Sequence, residues 1–98
     1  MTAYVIFDIE VIDQAGYDEY KQLAPATVTA YGGKYLARGS KTEVLEGEWV
    51  PKRLVILEFP NTGRSKEWLN SPEYSAIKHI RHRTTKSNMV VVEGLQPL

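Results

Sequence analysis

The run KRLVILEF, residues 52–59, limits what this chain can become more than any other segment. Its β-branched and large apolar residues predict a strand, and Pro60 ends it. Side chains alternate across a strand, so Arg53, Val55, Leu57 and Phe59 share one face while Leu54, Ile56 and Glu58 share the other. Both faces are largely apolar, so this strand needs cover on both sides. Residues 3–12, AYVIFDIEVI, follow a related pattern. Ala3, Val5, Phe7, Ile9 and Val11 make a wholly apolar face, and Tyr4, Ile6, Asp8, Glu10 and Ile12 a mixed one.

Between these strands, Asp13 is placed to cap a helix, and Tyr17, Tyr20, Leu23, Ala24, Thr27, Val28 and Tyr31 recur at helical spacing over residues 14–31. Pro25 removes the bond to the Lys21 carbonyl, which predicts a kink or break near residues 21–25. Gly32-Gly33 stops the helix. Residues 34–38 (KYLAR) read as a short strand, Gly39-Ser40 as a turn, 42–46 (TEVLE) as a short extended piece and 47–51 (GEWVP) as a loop.

After Pro60, Asn61 is suited to cap a short helix holding Trp68 and Leu69. Ser71-Pro72 starts another over residues 72–84, with Tyr74, Ile77, Ile80 and Arg81 on one face. A strand at 88–93 (NMVVVE) and a tail, GLQPL, close the chain. Strand, helix, strand, strand, helix, strand is the order of two interleaved βαβ halves. The expected fold is therefore α+β: one ferredoxin-like βαββαβ domain over residues 1–98, with a four-stranded antiparallel sheet, the first and third strands central and the helices on one face.

Helices on one face leave the other uncovered, yet the third strand carries large apolar residues on both of its faces, and the last strand is apolar on both sides. At roughly 25 cal/mol per Å² of apolar area, leaving that face wet forgoes several kcal/mol and invites aggregation. A second copy packed sheet to sheet answers the need, so the expectation is a homodimer forming an eight-stranded α/β barrel. Twelve Lys and Arg balance twelve Asp and Glu. Zero net charge removes a repulsive barrier to self-association and argues against nucleic acid as a partner.

With no cysteine, disulfides, thiolate chemistry and Cys-based metal sites are excluded. The opening MTAYVIFDIEVID lacks a basic leader, and no apolar stretch is long enough to span a bilayer, so a cytoplasmic protein without membrane contact is expected. His79 and His82 are three residues apart but lack a third ligand among neighbours that are cationic, so no metal is expected. No GxGxxG, P-loop, GxSxG or HExxH motif occurs, and no cofactor is expected.

Candidate chemistry lies at the polar end of the mixed face. Asp8 and Glu58 stand beside large apolar residues, which would raise a carboxyl pKa and suit either to be a general acid or base. Arg38 and Arg53 are candidate carboxylate clamps. Trp49, Trp68 and Tyr74 are candidate walls of a small-molecule cleft. The plainer alternatives are Asp8–Arg53 and Glu58–Arg38 rim ion pairs, with Trp49 locked onto a partner subunit and the first helix's tyrosines serving as packing.

The run YGGKYLARGSKTEVLEGEWVPKRLVILEFP, followed by WLNSPEY and a closing VVVEG, resembles domain-of-unknown-function family 1330 over residues 3–94. The resemblance implies a ferredoxin-like protomer of the dimeric α/β-barrel superfamily, mostly bacterial. Its pattern positions fall on Gly32, Gly33, Arg38, Glu46, Gly47, Trp49, Pro51, Arg53, Glu58, Phe59, Pro60, Trp68, Ser71, Tyr74 and Arg81. The family brings no established activity. The wider superfamily includes cofactor-free monooxygenases, muconolactone isomerase-like enzymes and haem proteins, and a fold so widely reused does not select among them. The expectation is a homodimer with a small-molecule cleft, working as a cofactor-independent oxygenase or isomerase on an anionic or aromatic compound. A metabolite-binding module without turnover and a purely structural dimer are the alternatives.

Overall fold

Alternating burial divides the strands as the sequence predicts. In the computed structural model, which describes residues 1–96, strand β1 (Ala3–Val11) buries Ala3, Val5, Phe7 and Ile9 and leaves Tyr4, Ile6 and Asp8 half-buried. Strand β3 (Leu54–Phe59) buries Val55, Leu57 and Phe59. With β2 (Lys34–Arg38) and β4 (Thr85–Glu93), these form one antiparallel sheet in the order β2-β3-β1-β4. The two strands with the most continuous apolar faces are the central pair, because only central positions are paired along both edges. Pro97 and Leu98, the end of the expected tail, lie outside the described residues.

Helices α1 (Gln14–Ala30), α2 (Thr62–Leu69) and α3 (Pro72–Thr84) cover one face of this sheet. Each begins at the expected cap. The Asp13 carboxylate accepts from Gly16 N, the Asn61 side-chain oxygen from Arg64 N and the Ser71 hydroxyl from Tyr74 N. Such caps contribute about 1 kcal/mol each. Between the helices and the sheet, Trp68 packs against Phe59 and Tyr74 with ring centroids 5.4 and 4.2 Å away, and Trp68 Nε1 donates to Thr27 Oγ1 at 3.1 Å. Gly33 ends α1 under Phe59 and Val28, where any Cβ would collide with both side chains.

Four local expectations are corrected. Helix α1 runs through Pro25 without a break. The carbonyl that Pro25 leaves free, on Lys21, instead accepts from Arg38 Nη2 at 2.5 Å, so a tertiary donor replaces the missing helical one. Residues 42–46 form no strand, because no neighbouring strand edge is available to them; residues 41–50 make an exposed arm. Strand β4 starts at Thr85, three residues before the expected Asn88, because Thr85, Lys86 and Ser87 still pair with Val11, Glu10 and Ile9. Leu23 is 43% exposed on the outer face of α1, so it is not part of the core its spacing suggests.

The sheet's other face carries no helix. Tyr4, Ile6, Ile56, Val90 and Val92 lie there, with Val90 60% and Val92 50% exposed. No helix among the described residues is long and apolar enough to cross a membrane.

Candidate functional site

The sheet separates the candidate residues into two groups. Arg38, Arg53, Trp68 and Tyr74 are on the helix-covered side, whereas Asp8, Glu58 and Trp49 belong to the uncovered side. The expected single cleft holding all seven is therefore not what the fold builds. Arg53 precedes Leu54 and shares the face of Val55, while Asp8 pairs with Leu54 on the opposite face.

On the covered side, Asp18, Lys21, Gln22, Arg38 and Arg53 line a basin of about 540 Å³, open to solvent. The two guanidiniums are held from behind. Arg53 Nε donates to the Tyr17 hydroxyl at 3.0 Å, and its Cζ lies 5.5 Å from the Tyr17 ring centroid. Arg38 lies 4.8 Å from the Tyr35 ring centroid and is anchored on the Lys21 carbonyl. Gly39 makes this possible. It sits at φ +73°, and a Cβ there would strike the Arg53 guanidinium. Among the described residues neither arginine meets a carboxylate; Asp18, the one acid in the basin, pairs with Lys21 at 3.4 Å.

Next to the basin and sharing Arg38 with it, Phe7, Ile9, Tyr17, Tyr20, Tyr35, Arg38, Val55 and Trp68 line a narrow throat of about 10 Å³. Trp68 lines this space. Tyr74 is fully buried and does not line this space; it sits behind Tyr20, the two hydroxyls 2.7 Å apart. Burial, the nearby Tyr74 and their mutual hydrogen bond push Tyr20 well above the ordinary phenol range, so its proton stays in place. Burial likewise raises Tyr35, against the opposing charge of Arg38. Arg81 Nε donates to the Tyr74 hydroxyl at 3.0 Å, and Arg81 Nη1 to Ser87 Oγ at 2.6 Å. Arg81 is 5% exposed and meets no carboxylate among the described residues.

On the uncovered side, Asp8 ties down the exposed arm. Its carboxylate accepts from Trp49 Nε1 at 2.8 Å and from the backbone N–H groups of Lys52 and Arg53 at 2.8 and 3.4 Å. Partial desolvation, the largest single influence, pushes this carboxyl up. The hydrogen bonds from Trp49, Lys52 and Arg53, with the Lys52 charge, together outweigh it and hold Asp8 below the ordinary carboxylate range. The raised pKa expected of Asp8 among apolar neighbours is thus not found, because its hydrogen-bond donors more than offset the desolvation. Glu58 pairs with Lys34 at 3.0 Å rather than with Arg38, which faces the helices. Asp8, Glu10, Val50, Lys52, Lys86, Ser87 and Asn88 line a second basin of about 310 Å³ on this side.

Tyr17 and Tyr20 read as helix packing in the sequence, yet they line the throat. The usable signal was Arg81, a cation on the same helical stripe as Tyr74 and Ile77 and therefore in need of buried polar partners.

The same fold recurs in solved structures. A Rhodopseudomonas palustris protein of unknown function superposes with a TM-score of 0.79 at 16% identity, over 98% of this chain and 84% of that one. A dimeric Bacteroides fragilis protein of unknown function with a ferredoxin-like fold gives 0.61 at 17% identity, over 95% and 96%. SnoaB, a cofactor-independent oxygenase from Streptomyces nogalater, gives 0.56 at 13% identity, over 99% and 94%. At such identities the likeness is one of fold. No curated protein matches the chain. The family description that does match spans residues 2–95 of 98, and on that ground the chain belongs to the family "Domain of unknown function (DUF1330)".

Proposed function

We propose that the chain is a homodimeric small-molecule protein whose helix-side cleft takes a small, flat organic anion; turnover of that compound by cofactor-free proton transfer or oxygenation needs a base, and the carboxylates suited to it, Asp8 and Glu58, lie across the sheet. One observation carries the reading. Two guanidiniums, each backed by a tyrosine ring and fixed by a hydrogen bond, stand at a 540 Å³ basin without an acidic partner among the described residues. Preorganised arginines of this kind suit a planar carboxylate or enolate, and the basin lies within the usual size of small-molecule sites. Trp68 and the tyrosines form the apolar wall behind the charge. The likeness to a cofactor-independent oxygenase is consistent with this chemistry and is a likeness of fold alone.

The homodimer rests on the uncovered face. Ile56, Val90 and Val92, with Val44, Leu45, Trp49 and Val50 of the arm, form an apolar surface that a second sheet would remove from water. In this reading Asp8 and Glu58 serve that face. A catalytic role for either requires substrate to reach the 310 Å³ basin beside Asp8, which is the second reading.

Titration calorimetry with salicylate tests the first. The wild type binds, and Arg38→Gln or Arg53→Gln each weakens binding roughly 10- to 100-fold, the worth of a charge-assisted hydrogen bond. Wild-type affinity in both variants refutes the assignment. Oxygen consumption or product formation with bound compounds then separates an enzyme from a binding module, and Asp8→Asn and Glu58→Gln abolish turnover only if the second reading holds.

A further inference from the structure

Arg81 is a cation buried without a carboxylate among the described residues, a costly arrangement unless its donors are well used. They are. Nε donates to the Tyr74 hydroxyl, Nη1 to Ser87 Oγ, and Nη2 lies 3.2 Å from His82 Nε2. Burial, with the charges of Arg81 and Lys78, lowers His82, so it stands as a neutral acceptor beside the guanidinium.

Arginine is only a donor, and this sets a direction. The Tyr74 oxygen accepts from Arg81, and the nearby positive charge favours turning the Tyr74 proton away, onto the Tyr20 oxygen 2.7 Å distant. The Tyr20 proton is then left without a further acceptor among the described residues. Tyr20 is a wall of the throat, whose volume of about 10 Å³ matches a single water-sized atom.

We propose that this throat is a subsite for one acceptor oxygen of the ligand, a carbonyl or enolate oxygen, bound by the Tyr20 hydroxyl, with Tyr74 and Arg81 as positioning residues behind it. The proposal deepens the cleft reading given above and does not depend on the ligand's charge. The flat body of the ligand lies in the basin and only its oxygen enters the throat.

The test uses two uncharged probes of the same shape, acetophenone and 2-phenylpropene, which differ by an oxygen in place of a methylene. Their binding to the full chain is followed by the NMR shift of the Trp68 indole N–H. Acetophenone binds about tenfold more tightly, the effect of one net hydrogen bond. Tyr20→Phe brings the ratio of the two affinities to about one, whatever it does to the affinity for either probe alone. Tyr74→Phe, which cannot touch the probe, narrows the preference several-fold, an effect that loss of packing alone would spread over both probes. Should Tyr20→Phe not fold, Tyr74→Phe decides. Equal affinities in the wild type, no Trp68 shift with either probe, or a preference that survives in Tyr20→Phe or is undiminished in Tyr74→Phe overturns the proposal. A preference for acetophenone with no added affinity for 4-acetylbenzoate leaves the subsite standing and refutes the anion basin instead.

Discussion

Changing Asp8 to Asn isolates one acceptor without changing its shape. In the folded chain, one carboxylate oxygen takes the Trp49 indole N–H at 2.8 Å, and the other takes Lys52 N at 2.8 Å and Arg53 N, more weakly, at 3.4 Å. An asparagine oxygen can keep the two backbone donors, but its NH₂ then faces the indole N–H, donor against donor. Bonds to a charged acceptor contribute about 1.5–3 kcal/mol each when desolvated. This arm is exposed and its freed donors meet water, so the loss falls below that range, at about 1 kcal/mol, the net worth of an ordinary hydrogen bond. For a domain of 98 residues that corresponds to a fall in Tm of roughly 4–8 °C. Circular dichroism melts at pH 7 and fixed protein concentration read it, and the emission of Trp49, 63% exposed already, shifts further to the red.

The pH dependence gives a second check. A carboxyl whose folded pKa is depressed stabilises the fold fully above its unfolded value, here 3.8, and loses that contribution as pH falls through the lower folded value. The gap between wild type and Asp8→Asn is therefore widest near neutrality and closes as pH drops below about 3.8. A variant that melts within about 1 °C of wild type at pH 7, with unchanged Trp49 emission, refutes the account of the arm as pinned by Asp8.

Other consequences are simpler to read. On the proposed packing, sedimentation velocity is expected to give a dimer for the wild type and a monomer for Ile56→Lys, on the uncovered face; a wild-type monomer at micromolar concentration with no dye-binding apolar surface refutes the packed-sheet reading. Gly39→Ala combines an unfavourable positive φ with a collision against Arg53, lowering stability by about 1–2 kcal/mol and weakening salicylate binding in the same variant. Pro25→Ala returns an N–H to compete for the Lys21 carbonyl; melts show equal or higher stability, while calorimetry shows weaker salicylate binding as Arg38 loses its anchor.

The strand faces were legible because a period of two needs nothing beyond neighbouring residues: Val55, Leu57 and Phe59 read as one side and are one side. The helix caps at Asp13, Asn61 and Ser71 were legible for the same local reason. The cleft was only partly so. Alternation already sets Arg53 with Val55 and Asp8 with Ile6, but not which side the helices cover, and pooling these charges into one cleft ignored the sheet between them. Arg38 meeting the Lys21 carbonyl spans seventeen residues and the Tyr20–Tyr74 pair fifty-four, and no local pattern announces contacts at such separations. Pro25 misled for that reason: its missing bond was foreseen, its distant replacement was not.

Because the sheet is one chain thick, consecutive residues answer to different neighbours. Phe7 lies against Trp68 while Asp8 grips the arm, and Arg53 faces the basin while Leu54 faces away. Substitutions on one side can accumulate with little effect on the other, so the helix-covered and uncovered surfaces are free to diverge separately among descendants of this chain. Deleting a single residue from β1 or β3 removes that freedom, since it turns every later side chain in the strand inside out and damages both surfaces together.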